Sequence, residues 1–316
     1  MLGELLAVTD VHMHHVPIGL VERARTGRSG ATATRDGHLV LDGTEVAVAP
    51  LYDPGLLDDA LSERAVDVGC VSIPPPLYRQ ALPSEDAQGW TQAVNDSLEE
   101  LARSSGGRIR CLAHLPIEHA GVARAEASAR SGPDWAGFAI ATHAPRVTLA
   151  DAELGPLWEV LDERRAFVFV HPGEPDDARL ARWYLANLLG NPYETGLAAA
   201  HLVFGGVIAS FENIRFCLAH AGGVTAALAG RWQRGFDTER PGLPHEEAPK
   251  ALLRKLYVDS VAFSDVYLEL AAAVFGPDHV LLGSDWPFPM GEFAATGAAG
   301  LGANATRALA ASMPAT

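Results

Sequence analysis

Short apolar runs rich in Val, Ile, Phe and Cys recur along the chain: Leu5–Val11, Val66–Ile73, Arg108–His114, Ala136–Ala141, Ala166–His171, Ile214–His220, Lys255–Asp259 and His279–Ser284. Between them lie segments of helical character, among them Gly55–Glu63, Trp90–Arg103, Leu154–Arg164, Ala178–Leu189, Thr225–Arg234 and Asp265–Val274. Strands that alternate with helices pair in parallel. Strands apolar at nearly every position are buried on both faces. Eight such units in 316 residues predict an α/β chain folded as a (β/α)8 TIM barrel, one domain over residues 1–316. The rhythm breaks once, where Thr34–Val48 reads as two short strands joined by Asp-Gly turns. Residues 18–50 are therefore expected to form a small β-hairpin insertion after the first strand, near the barrel mouth.

Charge narrows the class. The chain carries 24 basic and 39 acidic residues, a formal net charge of −15, with no basic run. Such a surface is a poor match for a phosphate backbone, so no nucleic-acid partner is expected. The longest charge-free apolar stretch, Thr195–Phe211, is shorter than the ~20 residues of a membrane span and reads as a buried helix. Residues 1–4 lack the basic region of a secretory signal, and Cys70, Cys111 and Cys217 form no C-x-x-C pair. A cytoplasmic protein with core thiols is the expectation.

Barrel chemistry sits at the C-terminal ends of the strands, so the residues that end each run matter most. The first ends in Asp10-Val11-His12-Met13-His14, and residues two apart on a strand face the same side. The third ends at His114, the fifth at His171, the sixth at His220 and the eighth in Gly283-Ser284-Asp285. Imidazoles converging with a carboxylate on one rim suit a divalent cation that keeps a coordination position open for water. His114 would either line the pocket or hydrogen-bond a neighbouring carbonyl. The chain has only two lysines, Lys250 and Lys255, away from these strand ends. That argues against a binuclear centre bridged by a modified lysine and against Schiff-base chemistry, leaving one metal ion per chain.

These residues resemble the amidohydrolase-related (amidohydrolase 2) family, and within it the group similar to aminocarboxymuconate semialdehyde decarboxylase. The matching stretches are Thr9-Asp-Val-His-Met-His14, Val170-His-Pro172, Asn191-Pro-Tyr-Glu-Thr195, Ala219-His-Ala-Gly-Gly223 and Leu282-Gly-Ser-Asp-Trp-Pro-Phe-Pro-Met-Gly291, with Tyr257-Val-Asp-Ser also fitting. The resemblance implies that His12, His14, His171 and Asp285 are metal ligands, that Asp285 is also catalytic, and that His220 is the histidine beside the metal-bound water, used in acid–base catalysis. It implies that Arg231 reaches a substrate carboxylate across a homodimer interface and that Trp183 lines the pocket. One feature departs from the pattern: the family's upstream carboxylate-gripping arginine has no counterpart, since no arginine lies between Arg35 and Arg64.

The implied cofactor is one divalent ion, zinc ahead of manganese. The implied activity is non-oxidative decarboxylation of a small unsaturated or aromatic carboxylic acid, through a metal-activated water and a histidine acid–base. A hydrolase or hydratase acting on an amide, lactone or C–C bond would use the same site, and the lost arginine adds weight to it. A barrel that binds a small molecule without turnover is the third reading.

Overall fold

The computed structural model describes residues 7–27, 31–175, 177–244, 246–292 and 298–311. Its centre is a seven-stranded parallel sheet. In spatial order the strands are β1 (Thr9–His14), β5 (Val68–Ser72), β6 (Ile109–His114), β7 (Trp135–Ala141), β8 (Phe167–His171), β9 (Arg215–Leu218) and β10 (Tyr257–Val258). Three short strands, β2 (Thr32–Ala33), β3 (Leu39–Leu41) and β4 (Thr44–Glu45), form a separate antiparallel sheet.

β8 shows why these runs become strands. All five residues of Phe-Val-Phe-Val-His are buried. Phe167 and Phe169 join an inner cluster with Val11, Cys70, Leu112, Cys217 and Leu281, while Val168 and Val170 join the larger cluster under the helices. A period of two with both faces apolar fits only a strand covered on both sides. Burying each Phe contributes roughly 1.5–3 kcal/mol. α3 (Ser84–Ser104) supplies the helical counterpart, burying Trp90, Val94, Leu98 and Ala102 at spacings of about one turn. Ala305, Ala308 and Leu309 of α11 (Ala298–Ala310) close the inner cluster from the end where β1 begins, with Thr9 and Thr306 hydroxyls 2.8 Å apart. The C-terminal strand ends are left for chemistry.

The eighth run is not a regular strand. Residues 280–286 nevertheless bridge Val258 on one side and Met13 on the other, and Asp285 N donates to His12 O at 2.8 Å. Other expectations shift as well. Residues 5 and 6 of the first run lie outside the described residues, and β1 continues through His14. The region after β1 begins with a helix, α1 (Ile18–Arg25), and holds three strands rather than two. Asp42 and Gly43 turn β3 into β4 with both φ positive (49° and 85°), as a tight Asp-Gly hairpin demands.

Ala178–Leu189 is not a continuous helix. A 3-10 turn at Ala178–Leu180 is followed by left-handed Trp183 and Tyr184, then a π turn at Ala186–Gly190. Trp183, Tyr184, Leu188 and Leu189 are left exposed rather than packed on the core, and packing is what stabilises most short helices. Thr195–Phe211 breaks at Gly205-Gly206, where Gly206 has φ 75°, so α6 (Asn191–Phe204) and α7 (Val207–Ser210) replace one helix.

Candidate metal centre

His12 and His14 project from the same side of β1. Their Nε2 atoms lie 3.0 Å apart, each 3.2 Å from Asp285 Oδ1. The His171 ring centroid stands 5.0 Å from that of His12 and 4.9 Å from that of His14. One ligand atom from each of His12, His14, His171 and Asp285 falls within 4.8 Å of the other three, and all four residues are buried. An irregularity in β1 helps this convergence. Asp10 pairs with Gly69 and Met13 with Val71, so three steps on β1 match two on β5. Val11 stays in the inner cluster while His12 meets the inner Phe169 at 4.8 Å. Such an extra residue re-aims side chains next to active sites.

The second ring nitrogens explain why the Nε2 atoms face one point. His12 Nδ1 lies 2.6 Å from Asp259 Oδ2, His14 Nδ1 3.2 Å from Ile73 O, and His171 Nδ1 2.9 Å from Pro172 O. An Nδ1 that donates to an oxygen leaves Nε2 as a lone-pair donor, the usual outer-shell device in metal sites. His171 Nε2 is buried without a hydrogen-bond partner. A buried polar atom without a partner is costly, and a cation at the centre of this donor set accounts for it. Three imidazole nitrogens and one carboxylate oxygen thus fit a single divalent ion.

Asp259 organises more than His12. Its carboxylate also accepts from His220 N (3.0 Å), Ala221 N (2.7 Å) and Val261 N (3.1 Å). His220 and Ala221 are left-handed, with φ of 56° and 51°, a strained conformation for residues bearing a Cβ. Their successive N–H groups form a small anion-binding concavity around the carboxylate. Gly283 permits this closeness, because a Cβ there would sit 2.8 Å from Asp259 Cβ and 3.0 Å from His12 Cβ. The His220 ring stands 5.0 Å from His171 and 5.4 Å from His12, with Nε2 3.8 Å from Asp285 Oδ2.

Residues 9–311 match the model of the Amidohydrolase family. The chain belongs to the amidohydrolase family. The 2-amino-3-carboxymuconate-6-semialdehyde decarboxylase of Dictyostelium discoideum is 27% identical over 301 residues, covering 90% of this chain and 82% of its own length. The crystal structure of 5-carboxyvanillate decarboxylase from Sphingomonas paucimobilis superposes with a TM-score of 0.79 at 19% identity, covering 96% of this chain and 99% of that one. A dihydroxybenzoic acid decarboxylase from a Polaromonas species, solved with bound manganese, gives a TM-score of 0.77 at 17% identity, covering 96% and 97%. At these identities the two structures establish a shared fold.

Two clefts of this amidohydrolase open at the centre. One of about 340 Å³ is lined by Val224, Val261, Tyr267 and Met290 as well as His220 and Asp285. The other, about 290 Å³, reaches His171, Glu174, Tyr184 and Phe288. Trp183 points away from these walls, 80% exposed and left-handed, and neighbouring Tyr184 takes the cleft position. Arg231 is exposed on α8 (Thr225–Asp237), one turn beyond the cleft-lining Ala227. His114 is buried at the end of β6, and neither ring nitrogen has a hydrogen-bond partner, so it does not bond a neighbouring carbonyl. Arg79 lines a third cleft beside the centre, its guanidinium paired with Asp42 at 2.8 Å.

Electrostatics at the centre favour cation binding with proton release. Burial opposes a charge on His12, but the carboxylates of Asp285 and Asp259 outweigh it and push its pKa up to about 10. Burial holds His14 and His171 below the usual histidine range. Asp285, despite burial, is pulled well below the usual carboxylate range by His12. At neutral pH the cation-free centre therefore carries a proton on His12, and cation binding must expel it. Zinc titration of the cation-free protein at pH 7, in buffers of different ionisation heat, should show release of about one proton per ion, with affinity weakening as pH falls. Release near zero would show that His12 is neutral before binding.

Proposed function

We propose that this amidohydrolase is a metal-dependent, non-oxidative decarboxylase of a small unsaturated or aromatic carboxylic acid. The observation that carries the reading is the buried centre of three Nε2 atoms and one carboxylate with His220 beside it, in a chain whose relatives and structural neighbours are named decarboxylases. His12, His14, His171 and Asp285 would hold the ion, zinc in preference to manganese given three imidazoles, although a structural neighbour holds manganese.

A divalent ion there would polarise a substrate oxygen and lower the pKa of water. His220, with Nε2 turned towards Asp285, would hold and hand over the proton that reaches the carboxylate-bearing carbon. That protonation interrupts conjugation. Cleavage of the C–C bond then returns its electron pair to the conjugated system and releases CO2. The adjoining clefts, each near 300 Å³, suit a molecule of about one ring. Arg231 would act on a carboxylate bound by a second copy of the chain, and Trp183, outward-facing here, would find its wall in the same homodimer.

The bridges from residues 280–286 to β10 and β1 support closure of the sheet into an eight-stranded barrel, with residues 18–50 as an insertion within a single domain. Three buried free cysteines suit a reducing cytoplasm. Among the described residues no helix is long and apolar enough to cross a membrane.

The test pairs elemental mass spectrometry with CO2 release from a panel of unsaturated and aromatic acids in D2O. The expected result is about one zinc or manganese ion per chain, and product carrying solvent deuterium at the vacated carbon. A metal-loaded protein that releases no CO2 but opens amides or lactones would establish the hydrolase instead.

A further inference from the structure

The wall of the barrel mouth carries a second polar pair outside the donor set. Along β6, Cys111 and Ala113 belong to the outer cluster and Leu112 to the inner one, so His114 points inward at the C-terminal end. Register through β7 places His114 level with Phe169, one inward layer below His171. The Tyr78 ring, from the turn that follows β5, stacks on His114 with centroids 5.3 Å apart and planes within 6°. Both side chains are buried, 2% and 3% exposed, yet His114 Nδ1, His114 Nε2 and Tyr78 Oη have no hydrogen-bond partner.

Three partnerless polar atoms in one buried stack are unusual, and each calls for a specific explanation. The position is also rigid. Asn95 Oδ1 accepts from His114 N at 2.8 Å, Asn95 Nδ2 donates to His114 O at 3.0 Å, and the same amide donates to Glu126 at 2.8 Å. Tyr78 lines the third cleft with Pro75 and Pro76, and both prolines also wall the cleft that reaches His171 and Asp285. Tyr78 thus borders a cleft that shares two walls with the cleft at the metal centre, and His114 is stacked against its ring.

We propose that Tyr78 and His114 form a neutral hydrogen-bonding subsite that receives a hydroxyl or amino substituent of the substrate, distinct from its reacting carboxylate. Neutrality follows from the surroundings. Burial alone depresses His114 to about 4, and burial raises the Tyr78 hydroxyl above its ordinary range. A neutral imidazole offers one N–H and one lone pair, and a phenol both donates and accepts. This complements a group that can also do both. A carboxylate would lose its hydration there without gaining a charged partner. The pair thus does not replace the absent upstream arginine; it selects among acids by their other substituent.

The inference rests on the reading of the chain as acting on a small acid at the metal centre. Its test is equilibrium binding, by calorimetry, of benzoate and of the three hydroxybenzoates and three aminobenzoates to the zinc-loaded full chain. At least one substituted acid should bind roughly tenfold or more tightly than benzoate, as expected where buried polar groups await a partner. Tyr78→Phe and His114→Phe, which keep the stack, should each cut that margin to about threefold or less, with benzoate affinity and metal content unchanged. Should His114→Phe fail to fold, Tyr78→Phe decides alone, because it removes one oxygen. A margin retained in Tyr78→Phe, or absent from the parent protein, overturns the subsite while leaving acid binding intact. If no acid binds with the metal in place, the acid-binding reading falls and the subsite falls with it.

Discussion

Replacing Asp285 by asparagine is expected to cut turnover by at least 10²–10³-fold, a range seen when one preorganised electrostatic group is removed, while the fold survives. The substitution is chosen for the backbone. Asp285 has φ 57°, a left-handed conformation that asparagine tolerates and alanine resists. Its effect is therefore electrostatic rather than conformational. Asp285 Oδ1 stands 3.2 Å from both His12 Nε2 and His14 Nε2, and Oδ2 faces His220 at 3.8 Å, so one carboxylate serves the donor set and the proposed proton carrier together. Loss of its charge should also let His12 titrate lower, since the Coulombic pull of Asp285 is the largest force raising it. Two measurements check this: turnover with metal content per chain, and the number of protons released on zinc binding. Unchanged turnover at full metal occupancy would show that Asp285 is dispensable, and the four-donor reading would fail with it.

The donor set was legible in the sequence because each of its members ends an apolar run. Strand period two put His12 and His14 on one side, and barrel topology put His171 and Asp285 on the same rim. What the pattern did not reveal is how the rings are aimed. For His14 and His171, aiming depends in part on Nδ1 contacts to the backbone oxygens of Ile73 and Pro172, which no residue identity encodes. The extra residue in β1 was hidden for a related reason: it alters register without altering composition. Elements whose amphipathic signal was weak came out differently. The glycine pair at 205 and 206 lies inside an apolar stretch that the pattern predicts to be one helix, although Gly206 takes a conformation that ends one. Tyr78 was missed because it lies on a proline-rich turn rather than at a strand end, and its partnership with His114 exists only in three dimensions. Asp259 gave a usable signal. It is the acidic residue closing the run Lys255–Asp259, in the place where other runs end in ligands.

Asp259 therefore supports the second large prediction. Asp259→Asn is nearly isosteric, yet it cannot serve the four donors that converge there. Oδ2 faces His12 Nδ1 and His220 N, and Oδ1 faces Ala221 N and Val261 N. One of the two positions must become an NH2 group pointed at N–H groups. If it takes the Oδ2 position, His12 Nδ1 can only accept, its proton moves to Nε2, and the ring turns from a ligand into a donor facing the cation. If it takes the Oδ1 position, the left-handed turn at His220 and Ala221 loses the acceptor that offsets its strain. Outer-shell carboxylates of this kind are typically worth 10–100-fold in metal affinity, and each charge-assisted hydrogen bond lost here about 1.5–3 kcal/mol of stability. Zinc affinity measured against a competing chelator should fall by that factor, and chemical denaturation of the cation-free variant should show the lower stability. The two alternatives separate in the data: a tautomer shift weakens zinc binding more than folding, whereas a disrupted turn lowers stability first and displaces His220. Zinc affinity equal to that of the parent chain would show that the Asp259 contact does not set the His12 tautomer.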